Sequence, residues 1–183
     1  MMSEERFRAL LDARGILLRG ALGAPDRSTA YTVFAQRADA ALDLPALKTQ
    51  ASRFFGAKLG LTVAKDYGPA PPNVDAAKVV VAKDDGTASG TRLCFGRPGE
   101  GNDYAAAEAA ERQQNTYGMS LLARRCPTVW LVTREADDDR VALTIAAVLA
   151  SSLLGPILTP TGDELFGVRT ARMKLEGRAS PYR

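Results

Sequence analysis

The sequence predicts an α+β domain, in which N-terminal helices precede a mixed sheet of four or five strands that carries further helices. Apolar residues recur at helical spacing over 1–60, and short β-branched runs follow at 78–83, 91–95 and 128–133. The chain has 183 residues, of which 46% are hydrophobic and 25% are charged, an ordinary composition for one globular domain. We therefore expect a single domain over 1–183, with elements in the order ααα-ββ-α-β-α-β.

Three helices are predicted in the N-terminal layer, residues 1–60. Ser and Asp are favourable N-cap residues, and the helices are predicted to begin at Ser3, Ser28 and Asp43, with the third ending at Lys58. The run Tyr31–Phe34 within the second helix also has high strand propensity, so a strand starting there is the alternative.

A connector and a sheet-forming region follow the helical layer. Residues 66–76 contain three prolines and a glycine and are predicted to be an extended link. In the sheet region, 77–175, two strands form a hairpin across Asp85-Gly86, a favourable turn. The remaining predicted elements are a helix from Asn102 or Asp103 to about Arg125, a central strand at 128–133, an apolar helix at 141–154 and a final strand from Leu165 to Leu175.

The helix predicted at 141–154 is apolar on nearly every side. Such a helix is either buried in its own domain or forms an interface between copies of the chain. A homodimer is therefore one expectation for the assembly of this protein. The aromatic side chains and Met119 are predicted to lie in the core.

Positive charge is concentrated at the C-terminal end of the sequence. The formal net charge is +3, from 24 Lys and Arg against 21 Asp and Glu. Within 167–183 a single glutamate accompanies five basic residues, which are Arg169, Arg172, Lys174, Arg178 and Arg183. They divide between the predicted final strand and a predicted basic tail, 176–183. A basic strand could contact nucleic acid, although so small a net charge makes that partner unfavourable.

Several features indicate a cytoplasmic protein with no membrane span. Ser3-Glu4-Glu5 follow the first methionines without the basic and apolar stretches of a secretory signal. The longest strongly apolar stretch, 141–154, is too short to cross a bilayer as a helix. Cys94 and Cys126 are too few for a disulfide framework, which fits a reducing compartment.

The sequence contains no histidine. This excludes Ser-His-Asp and Cys-His catalysis, histidine-ligated zinc or haem, and imidazole proton relays. No other motif specifies a catalytic residue, so we expect neither a metal nor a cofactor. Any catalysis would depend on tyrosine, a thiol, backbone dipoles, or carboxylates such as Glu108, Glu111 and Glu164.

The candidate ligand site is the glycine-rich segment from Gly96 to Asp103, between a predicted strand and a predicted helix. Backbone N–H groups and the positive end of a helix dipole would suit a phosphate or a pyrophosphate there. A turn that needs positive φ, followed by an ordinary helix cap, is the alternative. The candidate ligand-binding residues, which include two arginines expected to line the same concavity, are Arg97, Gly99, Gly101, Asn102, Arg124 and Arg169.

The order of elements from residue 78 to 175 resembles that of the acetyl-CoA-dependent N-acetyltransferases. Those enzymes hold the pyrophosphate with a loop of the form Arg/Gln-x-x-Gly-x-Gly/Ala. Gly99-Glu100-Gly101 matches the glycines of that loop, whereas Gly96 stands in place of Arg or Gln and Arg97 is displaced by one position. The resemblance implies an acyl-CoA site at this segment.

These features favour a cytoplasmic, non-enzymatic binding or accessory module that recognises a protein or a small ligand. The first alternative is a transferase that binds acyl-CoA or a nucleotide through the Gly96–Asp103 segment. The second alternative is a nucleic-acid-binding protein that uses the basic C-terminal strand.

Overall fold

The computed structural model describes residues 4–10, 13, 23–38, 42–54, 59–63, 76–83, 88–136 and 139–177. Its strands are β1 (Ala30–Ala35), β2 (Leu59–Val63), β3 (Ala76–Lys83), β4 (Ala88–Pro98), β5 (Thr128–Thr133), β6 (Ile157–Leu158) and β7 (Leu165–Phe166). Its α-helices are α1 (Glu4–Arg8), α2 (Leu44–Phe54), α3 (Gly101–Gln114), α4 (Met119–Arg124), α5 (Arg140–Leu153) and α6 (Val168–Leu175). The combination of helices with one sheet confirms the α+β class.

The seven described strands form one sheet in the order β2-β3-β4-β5-β1-β6-β7. Every pair of neighbouring strands is antiparallel, so the expected mixed pattern of four or five strands is wrong. The central position of β5 is confirmed, because β4 and β1 pair with its two edges. All of its residues except Thr133 are buried, as a strand covered on both faces requires.

The element predicted as a second helix is instead strand β1, Ala30–Ala35. A short 3-10 helix, Arg27–Thr29, precedes it and is capped by Asp26, which accepts a hydrogen bond from the Ser28 N–H. β1 lies between β5 and β6, and five of its six residues are buried. Burial on both faces removes the alternation that would mark a strand, which is why helical spacing fitted the same residues.

The segment predicted as the final strand contains a short strand and then a helix. β7 ends at Phe166, and α6 begins at Val168 after Gly167 as N-cap. Val168, Ala171 and Leu175 recur at helical spacing and pack against the cluster that contains α5. The order ααα-ββ-α-β-α-β is therefore wrong at both ends.

Helices α2 and α5 and the hairpin of β3 and β4 follow the sequence prediction closely. Asp43 caps α2 by accepting a hydrogen bond from the Ala46 N–H, and β3 and β4 pair as the predicted hairpin. Asp139 caps α5 in the same way through the Ala142 N–H. The hairpin turn 84–87, connector residues 64–75 and tail residues 178–183 lie outside the described residues.

Alternate side chains of the central strands enter two separate cores, one on each face of the sheet. Val33 and Trp130 belong to the cluster formed with α2, α5 and α6, so α5 is buried within its own chain. Their neighbours Phe34 and Val129 belong to the cluster formed with α3 and α4. In the described part of the chain no helix has both the length and the apolar character needed to cross a membrane.

Candidate functional site

The segment from Gly96 to Asp103 is the junction between β4 and α3. β4 extends through Pro98, and α3 starts at Gly101 with Glu100 as its N-cap, so the predicted cap at Asn102 or Asp103 is displaced. Asp103 instead occupies the first turn of α3, where its carboxylate accepts a hydrogen bond of 2.8 Å from the Glu100 N–H. A carboxylate in the first turn favours the helix through its dipole.

Asp103 also binds two arginine side chains. Arg97 donates two hydrogen bonds to it, of 2.7 and 2.9 Å, and Arg27 approaches at 3.4 Å. The Asp103 side chain is 1% exposed. Burial alone would raise the pKa of Asp103, but hydrogen bonds from Arg97 and the Glu100 N–H, with both arginine charges, hold it below the ordinary value. The Arg97 guanidinium thus already has an anionic partner within the chain.

The glycines of this junction have neighbours that account for two of them. A Cβ at Gly96 would lie 2.8–2.9 Å from the Trp130 ring, and a Cβ at Gly99 would overlap the Tyr104 hydroxyl. Gly101 faces open space. None of the three has positive φ, so close approach of aromatic rings, rather than a turn with positive φ, explains Gly96 and Gly99.

Tyr104 ties this junction to the residues that follow α4. Its hydroxyl donates a hydrogen bond of 2.7 Å to the Cys126 carbonyl, and the Gly99 N–H donates one to the Pro127 carbonyl. Burial raises the pKa of the Cys126 thiol to about 11 and that of Cys94 to about 12. Both thiols are therefore protonated at neutral pH, which disfavours them as nucleophiles.

The remaining candidate ligand-binding residues lie at three separate places. The Asn102 carbonyl accepts a hydrogen bond from Arg27 at the junction, while Arg124 at the end of α4 forms an ion pair with Glu108 of α3. Arg169 is exposed on α6, which packs against α5 on the other face of the sheet. Among the described residues, no hydrogen bond or ion pair joins Arg169 to the junction or to Arg124.

The basic C-terminal segment is a helix, and part of its charge is paired. Arg172 lies 3.7 Å from Glu176, and Lys174 lies 2.5 Å from Glu164 and over the ring of Phe166. The basic C-terminal strand on which the nucleic-acid alternative was based is therefore absent, since these residues belong to α6.

The predicted long helix to Arg125 is interrupted, and the interruption creates a surface that the sequence did not reveal. α3 ends at Gln114, Asn115 adopts a left-handed conformation with φ 56°, and Gly118 has φ 102° as the N-cap of α4. Gly118 was the available signal for this break, because φ above zero favours glycine. α4 then runs back along α3, since Arg124 at its end contacts Glu108.

Glu111 holds α4 in place from beneath. It is 8% exposed, and one carboxylate oxygen accepts the N–H groups of Met119 and Ser120 at 2.8 and 3.3 Å. The other oxygen accepts the Ser120 hydroxyl. Ala123 is fully buried on the same side. These contacts satisfy the first N–H groups of the helix and fix its orientation.

The outward side of α4 and the connection before it expose apolar groups. Tyr117 is 89% exposed and Leu121 is 66% exposed, so the prediction that all aromatic residues lie in the core is wrong for Tyr117. Leu121, Arg124 and Arg125 share one helical side, and all three are exposed. We call Tyr117, Leu121, Arg124 and Arg125 the α4 surface.

Comparison with protein-family models, curated proteins and solved structures finds no match for this chain. The site must therefore be interpreted from its own geometry, and the implied acyl-CoA site stays a prediction. Among the described residues, no group of three or more cysteine, aspartate or glutamate side chains could hold a metal ion.

Proposed function

We propose that this protein is a non-enzymatic binding module, and that it recognises a partner protein through the α4 surface. The observation that carries the proposal is the exposure of two apolar side chains, Leu121 on a helix fixed from beneath and Tyr117 on the connection just before that helix. Tyrosine and arginine are enriched in protein interfaces, and both occur in this surface. A cytoplasmic location belongs to the same proposal.

The rigidity of α4 supports a binding role for its outer side. Glu111 and the buried residue Ala123 hold the helix against α3 and the sheet, so the backbone that carries Leu121 needs little ordering when a partner binds. Leu121 contributes little to the packing of the core, because it is 66% exposed. Leaving it exposed costs free energy in water, which contact with a partner would recover.

The proposal is tested by comparing the variants Leu121→Asp and Leu154→Asp. Leu154, at the end of α5, is 63% exposed and so matches Leu121 in exposure and chemistry. An extract of the source cells is passed over the wild type and the two variants. Proteins that bind the wild type and Leu154→Asp, but not Leu121→Asp, are then purified. Their affinities for all three forms are measured by titration calorimetry. We expect a purified partner whose binding only Leu121→Asp abolishes.

Equal binding of that partner to Leu121→Asp and the wild type would refute docking on the α4 surface. The transferase alternative has its own test, a thermal-shift screen against CoA thioesters and nucleotides. Stabilisation that disappears in Gly101→Asp, a change for which the structure has open space, would replace the binding module with that alternative.

A further inference from the structure

We infer that the partner docks on the α4 surface with an acidic segment that carries one apolar side chain. This inference rests on the proposed function and specifies the chemistry of its partner. It depends on the arginines around Leu121 and on the register of α3 and α4.

The arginines near Leu121 are only partly neutralised by the chain itself. Arg124 is paired with Glu108, whereas Arg112 and Arg125 are exposed and form no ion pair with any described residue. Two guanidinium groups are therefore available for carboxylates, which they bind through pairs of parallel hydrogen bonds. Electrostatic attraction to these arginines would increase the association rate of an acidic partner and would fix its orientation in the complex.

The Glu108–Arg124 ion pair sets a register in which Arg112 of α3 is expected beside the α4 surface. Glu111 contacts Met119 and Ser120, and Glu108 contacts Arg124, so the two helices run in opposite directions. Arg112 lies one turn beyond Glu108, towards the connection that holds Tyr117. This register predicts arginines on two sides of Tyr117 and Leu121.

The spacing within α4 limits the sequence of the partner. Leu121 and Arg125 are four residues apart, which corresponds to about 6 Å along the helix axis. A partner residue that contacts Leu121 and a carboxylate that contacts Arg125 must be separated by a similar distance. Residues four apart in a helix, or two apart in an extended strand, have that separation.

Other occupants suit the α4 surface less well. A second copy docked by twofold symmetry would bring equivalent arginines of both chains into one small interface, where like charges repel. A membrane surface requires a broad apolar helix face, whereas α4 has six residues and exposes one leucine on its outer side. An acidic segment with one apolar side chain would pair its carboxylates with the arginines and bury its apolar side chain against Tyr117 and Leu121.

The test uses short random peptides displayed on phage, selected on the wild type and depleted on Leu121→Asp. We expect the selected peptides to be enriched in Asp and Glu and to share a Leu, Phe or Tyr at one of the two spacings. Their affinities are then measured by fluorescence anisotropy for Arg112→Glu, Arg125→Glu and Arg169→Glu. Arg169 is the matched control, an exposed arginine with no ion pair to a described residue, on another helix.

Affinity is expected to fall about tenfold or more in Arg125→Glu and Arg112→Glu, and to be unchanged in Arg169→Glu. Binding to vesicles that contain phosphatidylserine tests the membrane surface as occupant, and gel filtration tests the second copy of the chain. Binding that depends on Leu121 but not on either arginine would overturn the acidic partner and leave the protein-binding function standing. Selected peptides without an acidic excess, or α4-dependent binding to the vesicles, would also overturn it. The absence of any peptide that Leu121→Asp rejects would refute docking on the α4 surface as well.

Discussion

The β4–α3 junction and the α4 surface stand in contrast, although both lie on the α3 side of the sheet. At the junction the charged groups face one another, with Asp103 between Arg97 and Arg27. Two of its three glycines are packed against aromatic rings. On the α4 surface Tyr117, Leu121 and both arginines are exposed to solvent. The charged groups of the junction have partners within the chain and stabilise the fold. The exposed side chains of the α4 surface are available to contact another molecule.

Removal of the junction carboxylate is the largest expected effect. Asp103→Ala should lower the free energy of unfolding by about 3 kcal/mol, because it leaves the partly buried Arg97 without its partner. The matched change on the α4 side, Glu108→Ala, breaks an exposed ion pair and should cost about 1 kcal/mol or less. Urea unfolding followed by circular dichroism measures both. Equal losses of unfolding free energy in the two variants would show that the junction ion pair stabilises the fold no more than the exposed pair does.

The junction glycines should differ from one another in the same way. Gly99→Ala forces its new methyl group against Tyr104 and should destabilise the fold by about 1–3 kcal/mol. Gly101→Ala enters open space at the start of α3 and should change stability by about 0.5 kcal/mol or less, or increase it. Thermal unfolding of the two variants checks this, and a large loss in Gly101→Ala would contradict the packing explanation.

A smaller effect is expected from pH. The pKa of Asp103 in the folded chain lies below the ordinary value of 3.8, so its ionised form stabilises the fold above that value. This contribution is lost as the pH falls through the lower, folded pKa. The difference in unfolding free energy between the wild type and Asp103→Asn should therefore be constant near neutral pH and shrink in acid. A difference that grows as the pH falls would contradict the observed pairing.

The smallest expected effect on stability is that of Leu121→Asp. Its side chain is mostly exposed, so the free energy of unfolding should change by about 0.5 kcal/mol or less even though binding is lost. Comparison with Leu154→Asp in the same unfolding experiment checks this. A strongly destabilised Leu121→Asp would show that Leu121 supports the fold rather than a partner.

Sequence patterns predicted the elements whose signals are local. A capping aspartate marked the start of α2, an apolar run marked α5, and a β-branched run marked β5. β1 and α6 were assigned wrongly. Burial on both faces hides the alternation of β1, and the eight residues of α6 are too few to show a clear helical period. The spacing of apolar residues identifies an element only when one of its sides is buried. Which sides of β1 and α6 are buried depends on the elements packed against them in the tertiary fold.

The candidate site was less predictable than the fold for a related reason. A glycine-rich segment before a helix has the same pattern whether its backbone binds an anion or packs beneath Trp130 and Tyr104. The exposure of Tyr117 and Leu121 depends on the break at Gly118 and on the way Glu111 holds α4. Neither of these side chains forms part of a recognisable motif.

The most direct test of the binding account is a nuclear magnetic resonance titration of the isotope-labelled protein with a selected acidic peptide. Backbone amide signals are followed at both regions in the same experiment, which compares them without any substitution. We expect shifts that cluster at Arg112 and from Tyr117 to Arg125, with the signals of Gly99 and Gly101 unchanged. Shifts that cluster at Gly99 and Gly101, with α4 unchanged, would contradict this expectation and identify the junction as the binding site.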